Sequence, residues 1–379
     1  MTVKILHLIT DLNTGGAEVS LYRLLGCMDR SRFENRVISM ISVGEIGEKI
    51  RALGIPVTSL ELRPGQFSLA AFRLLARVVR SERPDILQTW MYHADLAGGL
   101  AGRWAGSPPV VWGLHNTIAG PGALKPATNA IVRINALFSH ILPTKIVCCA
   151  EATRRTHIQL GYLERKMVVI PNGIDTAIFH PDMEARRAVR RELGFQDQTP
   201  LIGLCARFDP QKDHANFVSA AGILHTRMPG VHFLLWGKDI DPTNDILGGW
   251  IRAVGMDRSI HLLGLRNDSP RLFSTLDLSC LSSYSEAFPM ALGEAMACEI
   301  PCTVTDVGDC ALLVGATGRV VPRRDPEALA AAWADLLSMT PEERQALGRQ
   351  ARRRTQVNYS LEKMAAAYTG LYQDIISSG

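Results

Sequence analysis

No stretch of this sequence stays apolar for the roughly 18 residues that a membrane-spanning helix needs. The longest apolar runs, such as Ala70 to Val79, are broken by arginines. The opening MTVKILHLIT is apolar for too few residues to serve as a secretory leader and fits a first strand. No C-x-x-C pair occurs among the eight cysteines; Cys298 and Cys302 are close, but no second pair completes a zinc pattern. They read as reduced core thiols of a cytoplasmic protein. Internal repeats and low-complexity tracts are missing, which excludes solenoids and linker-dominated chains. The glycine fingerprint G-x-G-x-x-G is missing too, and the second strand does not end in an acid to grip a ribose, so a nicotinamide oxidoreductase is disfavoured. Basic residues are not interleaved with an aromatic platform, which leaves nucleic-acid binding without support.

What is present is globular. The hydrophobic content of 47% and charged content of 21% are those of a folded soluble chain, and 379 residues suffice for two domains with full cores. The net charge of +4 is unevenly spread. Between Glu61 and Arg155, eleven Lys/Arg face five acids, a surplus of six that leaves −2 for the remainder. A basic half suits an anionic substrate or surface, and it also suits an ordinary solvated face.

Short apolar runs alternate with helical patterns. Val3–Ile9 reads as a strand, 17–26 as a helix, 36–40 as a strand, 68–81 as a helix, and RPDILQTW as the next strand. VVWGLH, KIVCCA and KMVVIPNGID continue the series. After a highly charged stretch over 180–198 the pattern restarts with LIGLCARF, HANFVSAAGILHTR, VHFLLWG, IHLLGL, LDLSCLSS and PCTVTD. Such alternation predicts an α/β chain of two halves joined near residue 180, each with a parallel sheet, and a final amphipathic helix in YSLEKMAAAYTGLYQDII.

Four stretches carry candidate chemistry. In SSYSEAFPMALGEAMACEIPCTVTDVGD, Glu286 and Glu294 are separated by seven residues. Pro289 suits the first turn of a helix through Met296, whose start offers free N–H groups and a positive dipole end to an anion. On an all-helical path the two acids would lie roughly 12 Å apart, about the span of a nucleoside-diphosphate sugar. The spacing equally fits two surface carboxylates on a helix. In ARFDPQKDH, Arg207 and Lys212 follow a strand, where open parallel sheets bind ligands, and a guanidinium fork plus an ammonium suits a diphosphate. In DLNTGGAE, Gly15 and Gly16 permit close backbone approach to a phosphate or sugar, or simply make a tight turn. His115 and His93 each sit at the carboxyl edge of a strand, where a lone histidine is more often structural.

Taken in order, these pieces resemble the retaining nucleotide-sugar glycosyltransferases of family 4 (group 1). The likeness rests on E-x7-E, on the preceding R-x4-K loop, on the Gly-Gly loop, on PNGID at the junction and on EAMACEIP after the second acid. It covers essentially the whole chain. QTWMYHADLAGGL and VVWGLHNT further resemble members that build bacterial surface polysaccharides.

The resemblance implies a GT-B fold, two Rossmann-like domains with parallel sheets facing across a cleft. The domains would be 1–178, with the last helix 360–379 packing back on it, and 179–359. It implies that Glu294 holds the donor ribose, that Glu286 binds donor-sugar hydroxyls and that Arg207 and Lys212 neutralise the diphosphate. Gly15 and Gly16 would approach phosphate or sugar, and His115 would sit beside the reacting carbon. Backbone near Phe288, Pro289, Met290 and Ala291 would cradle phosphate, and Leu265 would join the nucleotide-contacting set. The donor would be a nucleoside-diphosphate sugar, with UDP favoured over GDP, and neither cofactor nor metal is expected. The acceptor would be a glycan, in one version lipid-linked and reached from the inner membrane face, in another a soluble small molecule. A non-catalytic nucleotide-sugar-binding protein of the same fold is the rival in another class. Ala130–Leu142 carries apolar residues beside Arg133 that fit membrane contact or a core-facing stripe. Two positions depart from the family pattern: Ala287 and Glu299 stand where many members have glycine.

Overall fold

The computed structural model describes residues 2–63, 68–118 and 124–378. The chain divides into two compact units. One is Met1–Gly173 with Leu361–Gly379, and the other is Ile174–Ser360.

The first unit is built on seven parallel strands: β1 (Val3–Ile9), β2 (Phe33–Ser39), β3 (Val57–Ser59), β4 (Ile86–Trp90), β5 (Val110–Leu114), β6 (Lys145–Cys148) and β7 (Met167–Val169). Their order is β3-β2-β1-β4-β5-β6-β7. Side chains alternate across the sheet, so Ile5 and Ile9 of β1 enter one core while Leu6 and Leu8 enter the other. Helices cover both faces, as a parallel sheet requires. The last helix, Leu361–Ser377, inserts Leu361, Met364, Tyr368, Leu371, Tyr372 and Ile375 into the β1 core at helical spacing. Burying each such side chain stabilises by about 1.5–3 kcal/mol, which makes the C-terminus structural in this unit.

The second unit holds six parallel strands: β8 (Leu201–Cys205), β9 (His232–Trp236), β10 (Ile260–Leu262), β11 (Leu278–Leu281), β12 (Cys302–Thr305) and β13 (Gly318–Val321). Their order is β10-β9-β8-β11-β12-β13. The charged stretch after residue 180 is a helix, Met183–Glu192. Its Arg190 is fully buried, bonded to Asp277 at 2.8 Å and to the carbonyls of Thr275, Gln196, Asp197 and Thr199. A guanidinium so fully satisfied pins the unit's first helix to its sheet. All eight cysteines are unpaired with one another, in line with reduced thiols. Among the described residues, no cluster of three or more His, Cys, Asp or Glu is placed to hold a metal ion. No helix of the described residues is long and apolar enough to cross a membrane.

Both sheets reverse strand order once, between β1 and β4 and between β8 and β11. In an open parallel sheet, ligands bind outside the carboxyl ends of the strands at that point.

Burial holds His7, His115, His157 and His214 uncharged, with pKa values near 4 against an ordinary 6.5. Above about pH 6.5 each is neutral both folded and unfolded, and contributes no pH dependence. Between 6.5 and 4 the unfolded chain takes up the protons that the fold refuses. Asp95, Glu18 and Asp213, whose carboxyls are raised by burial, act in the opposite sense, but burial also lowers His93, His232 and His261, so seven histidines stand against three carboxyls. Stability therefore falls on acidification through this window, by about 1.4 kcal/mol per pH unit for each net proton. Calorimetric unfolding at stepped pH should show the melting temperature dropping below pH 6.5, with a shallower drop in His7→Gln.

Candidate active site

At the strand-order reversal of the second unit, two loops meet. The loop after β8 carries Arg207 and Lys212, and the loop after β11 carries Glu286. Lys212 Nζ donates to Glu286 Oε1 at 2.5 Å, and Ser283 Oγ donates to the same oxygen at 2.6 Å. Backbone links tie the loops together: Ser282 Oγ to the Lys212 carbonyl at 2.9 Å and the Tyr284 N–H to the Gln211 carbonyl at 3.0 Å. The Lys212 and Glu286 side chains are 18% and 10% exposed, so the pair is largely desolvated. Both described bonds to the Glu286 carboxylate end on Oε1, which leaves Oε2 as an acceptor for a ligand hydroxyl. Arg207 stands 56% exposed, with its Nε 3.2 Å from Asp209.

Glu294 lies on the helix Met290–Ala297. Its charge adds to burial in raising the thiol pKa of Cys205, the last residue of β8, which puts both acids near the same sheet edge. Pro289 is not in the first turn, as the sequence suggests, but at the N-cap, with φ −77° and ψ 107° and no side-chain cap. The first N–H groups, from Met290 and Ala291 onward, therefore have no partner within the helix. Glu286 precedes the helix, so the all-helical separation does not describe this pair. Phe288 is buried against Tyr359 with ring centroids 5.7 Å apart, so only its backbone can serve a ligand. Leu265, after β10, is 73% exposed.

The first unit brings His115 to the carboxyl end of β5. Its ring stacks on Trp90 with centroids 5.0 Å apart, and neither ring nitrogen has a partner among the described residues. Trp90 is held in turn: its Nε1 donates to His7 Nδ1 at 3.2 Å, and Tyr368 of the last helix stacks 6.0 Å away. His93 lies in the first turn of the helix Tyr92–Trp104, half-buried and kept neutral by burial. Gly15 is the N-cap of the helix Gly16–Cys27, with an extended φ of −160°. It needs no left-handed freedom there. An added Cβ at Gly15 would meet only the flexible end of the Glu18 side chain, which can move aside, and one at Gly16 would meet nothing within 4 Å.

Sequence reasoning missed the supports of this arrangement. Ser283 shares the Glu286 oxygen. Gly308, at φ +56°, lies so close beneath Glu286 that an added Cβ would stand 2.2 Å from its carbonyl oxygen. Asp309 N–H donates to the Ala287 carbonyl at 3.1 Å. Only the turn-forming V-G-D run hinted at this contact. Of the two departures from glycine, Ala287 is not among the positive-φ residues, whereas Glu299 sits at φ +62°, a left-handed position that would suit glycine better.

With this geometry in hand, the comparisons are specific. A model described as Glycosyltransferase Family 4 matches residues 14–178, and one described as Glycosyl transferases group 1 matches residues 185–354. An Escherichia coli protein, UDP-Gal:alpha-D-GlcNAc-diphosphoundecaprenol alpha-1,3-galactosyltransferase, is 25% identical over 314 residues, 80% of each chain. The Campylobacter jejuni N,N'-diacetylbacillosaminyl-diphospho-undecaprenol alpha-1,3-N-acetylgalactosaminyltransferase is 25% identical over 314 residues, 79% of this chain and 80% of that one. The crystal structure of HepE from Anabaena in complex with UDP and glucose matches with a TM-score of 0.86 at 20% identity, over 98% of this chain and all of the other. At that identity the likeness is one of fold.

The desolvated pair makes a thermodynamic prediction. Removing one partner strands a charge, so Lys212→Met should cost about 3 kcal/mol. Lys212→Met combined with Glu286→Gln should melt above Lys212→Met alone. Additive losses in a double-mutant cycle would contradict the pairing.

Proposed function

The chain belongs to the family 4, group 1 glycosyltransferases, and from that premise we propose that it is a retaining enzyme that moves a sugar from a nucleoside-diphosphate donor to a lipid-linked glycan in surface-polysaccharide synthesis. The observation that carries the donor half is the pairing of Lys212 with Glu286 beside Arg207 and an uncapped helix start at the strand-order reversal. Breaking the bond from the sugar's C1 to its phosphate oxygen leaves two electrons on the diphosphate and a cationic carbon. Fixed positive charge at the leaving group lowers that barrier in place of a metal ion. In this reading Arg207 and Lys212 hold the diphosphate, and the N–H groups at Met290 and Ala291 add the helix dipole. Glu294 takes the ribose hydroxyls and Glu286 a sugar hydroxyl through Oε2. The acceptor hydroxyl attacks the face that the phosphate leaves and passes its proton to a phosphate oxygen. Neutral His115 can donate and accept at once, which suits a sugar hydroxyl.

A relative named for UDP-Gal and the HepE complexes with UDP support uracil as the base. The names of the E. coli and C. jejuni relatives support a diphosphoundecaprenol-linked acceptor. A surface feature agrees with peripheral membrane contact. The helix Pro126–Phe138 turns Val132 and Ala136 inward, while Ile134, Leu137 (76% exposed) and Ile141 face solvent beside exposed Arg133. Ile131, Phe138 and Leu142 of the same stretch pack against the core, so the exposed part is Ile134, Leu137 and Ile141, and apolar residues beside a cation suit an anionic bilayer.

Three outcomes test the proposal. Arg207→Ala with Lys212→Ala should lower turnover of UDP-sugars by about 10²–10³-fold or more, whereas normal turnover would reject the diphosphate clamp. Activity should persist in EDTA, and a strict need for added divalent ion would reject the metal-free mechanism. Leu137→Asp with Ile141→Asp should release the protein from phosphatidylglycerol vesicles while leaving a water-soluble acceptor analogue well used.

A further inference from the structure

A second cavity lies in the Ile174–Ser360 unit, beyond Lys212 on the side of the helices His214–Arg227 and Asp245–Ala253. Its volume is about 350 Å³, within the roughly 300–1,000 Å³ of small-molecule sites. Phe208, Pro210, Ile246 and Trp250 form apolar walls, and Asp213 and His214 bring polar atoms. The Phe208 and Trp250 rings lie 5.8 Å apart at 42°, an open aromatic angle, and Trp250 is 37% exposed. Asp209 also lines the cavity and bonds Arg207, so the cavity adjoins the donor loop without including Arg207 or Lys212.

The first turn of the His214 helix is unusual in its polarity. Asp213 Oδ2, both ring nitrogens of His214 and both amide atoms of Asn216 are buried without hydrogen-bond partners among the described residues. His214 is only 2% exposed. Five orphan polar atoms in four consecutive residues are costly, since each buried unsatisfied group costs about 1–3 kcal/mol. Asp213 also holds a left-handed φ of 50°, a conformation that needs support from its surroundings. A neutral imidazole presents one donor and one acceptor, the amide presents both, and the carboxylate accepts. The complement of that set is a ligand rich in hydroxyls. The complement of the aromatic angle is a ligand with a flat apolar C–H face. A pyranose ring has both features, whereas a planar base offers a π face and no hydroxyls and an acyl chain has no polar edge.

We propose that this cavity is a carbohydrate subsite that binds one pyranose unit on Phe208 and Trp250, with its hydroxyls turned toward Asp213 and His214, the polar residues of the turn that line it. The subsite goes beyond the donor reading and does not depend on it, so either can fail alone.

Saturation-transfer difference NMR tests it directly. The probes are methyl glycosides of glucose, galactose, N-acetylglucosamine and mannose, presented to the full chain with saturating UDP. At least one glycoside should bind with UDP present. Trp250→Ala should weaken it by about tenfold or more, the scale of one lost aromatic face. Ile246→Trp, at a solvent-exposed position that the fold tolerates, should block the cavity mouth and do the same. His214→Ala should weaken binding while thermal unfolding stays cooperative. The proposal is overturned if no glycoside binds beside UDP, or if binding survives both Trp250→Ala and Ile246→Trp.

Discussion

One ion pair organises the second half of this chain. Lys212 and Glu286 lie 74 positions apart in sequence, yet they meet where the sheet reverses its strand order, and each compensates a charge that neither loop could bury alone. Ser283 and the close approach of Gly308 fix Glu286, and the Gln211–Tyr284 and Lys212–Ser282 bonds fix Lys212. The ammonium keeps two further donors after pairing, and the carboxylate keeps its Oε2. A cation held by an anion on rigid loop ends is already oriented before any ligand arrives, which is the condition for electrostatic catalysis without reorganisation.

The first unit applies the same logic to a neutral group. His115 is set on Trp90, Trp90 on His7 and Tyr368, and His7 on Asn35 at 3.0 Å. Burial keeps both histidines of this stack uncharged, so the imidazole offered at the sheet edge is a hydrogen-bonding group and not a cation. Tyr368 enters from the last helix, so the final segment of the chain supports the position of a residue some 250 places earlier.

Much of this was legible in the sequence because the signals are local. The short apolar run over Val3–Ile9 and the helical stretch HANFVSAAGILHTR are read at the same bounds that the structure has for β1 and for the helix His214–Arg227. Two parallel-sheet units and the family itself followed from motif order. The illegible part is long-range. Nothing near Ser283 or Gly308 announces that they hold Glu286. Nothing near Trp90 announces a histidine stacked on it. The helix Asp245–Ala253, which walls the second cavity, has no strong start signal beyond its Asn244 cap. The stripe over 130–142 could face core or solvent by spacing alone, and in the structure it divides, with Ile131, Phe138 and Leu142 packed inward and Ile134, Leu137 and Ile141 exposed. Pro289 illustrates a smaller error, since its fixed φ serves the residue before a helix as well as the first residue in it.

The central claim is that a diphosphate is held by Arg207, Lys212 and the start of the Met290 helix. A crystal structure of the full chain soaked with UDP is the most direct measurement. The account predicts phosphate density within hydrogen-bond reach of Lys212 Nζ and the Met290–Ala291 backbone, with the ribose at Glu294. Well-defined nucleotide density elsewhere on the molecule, with the Lys212–Glu286 pair untouched, would contradict it.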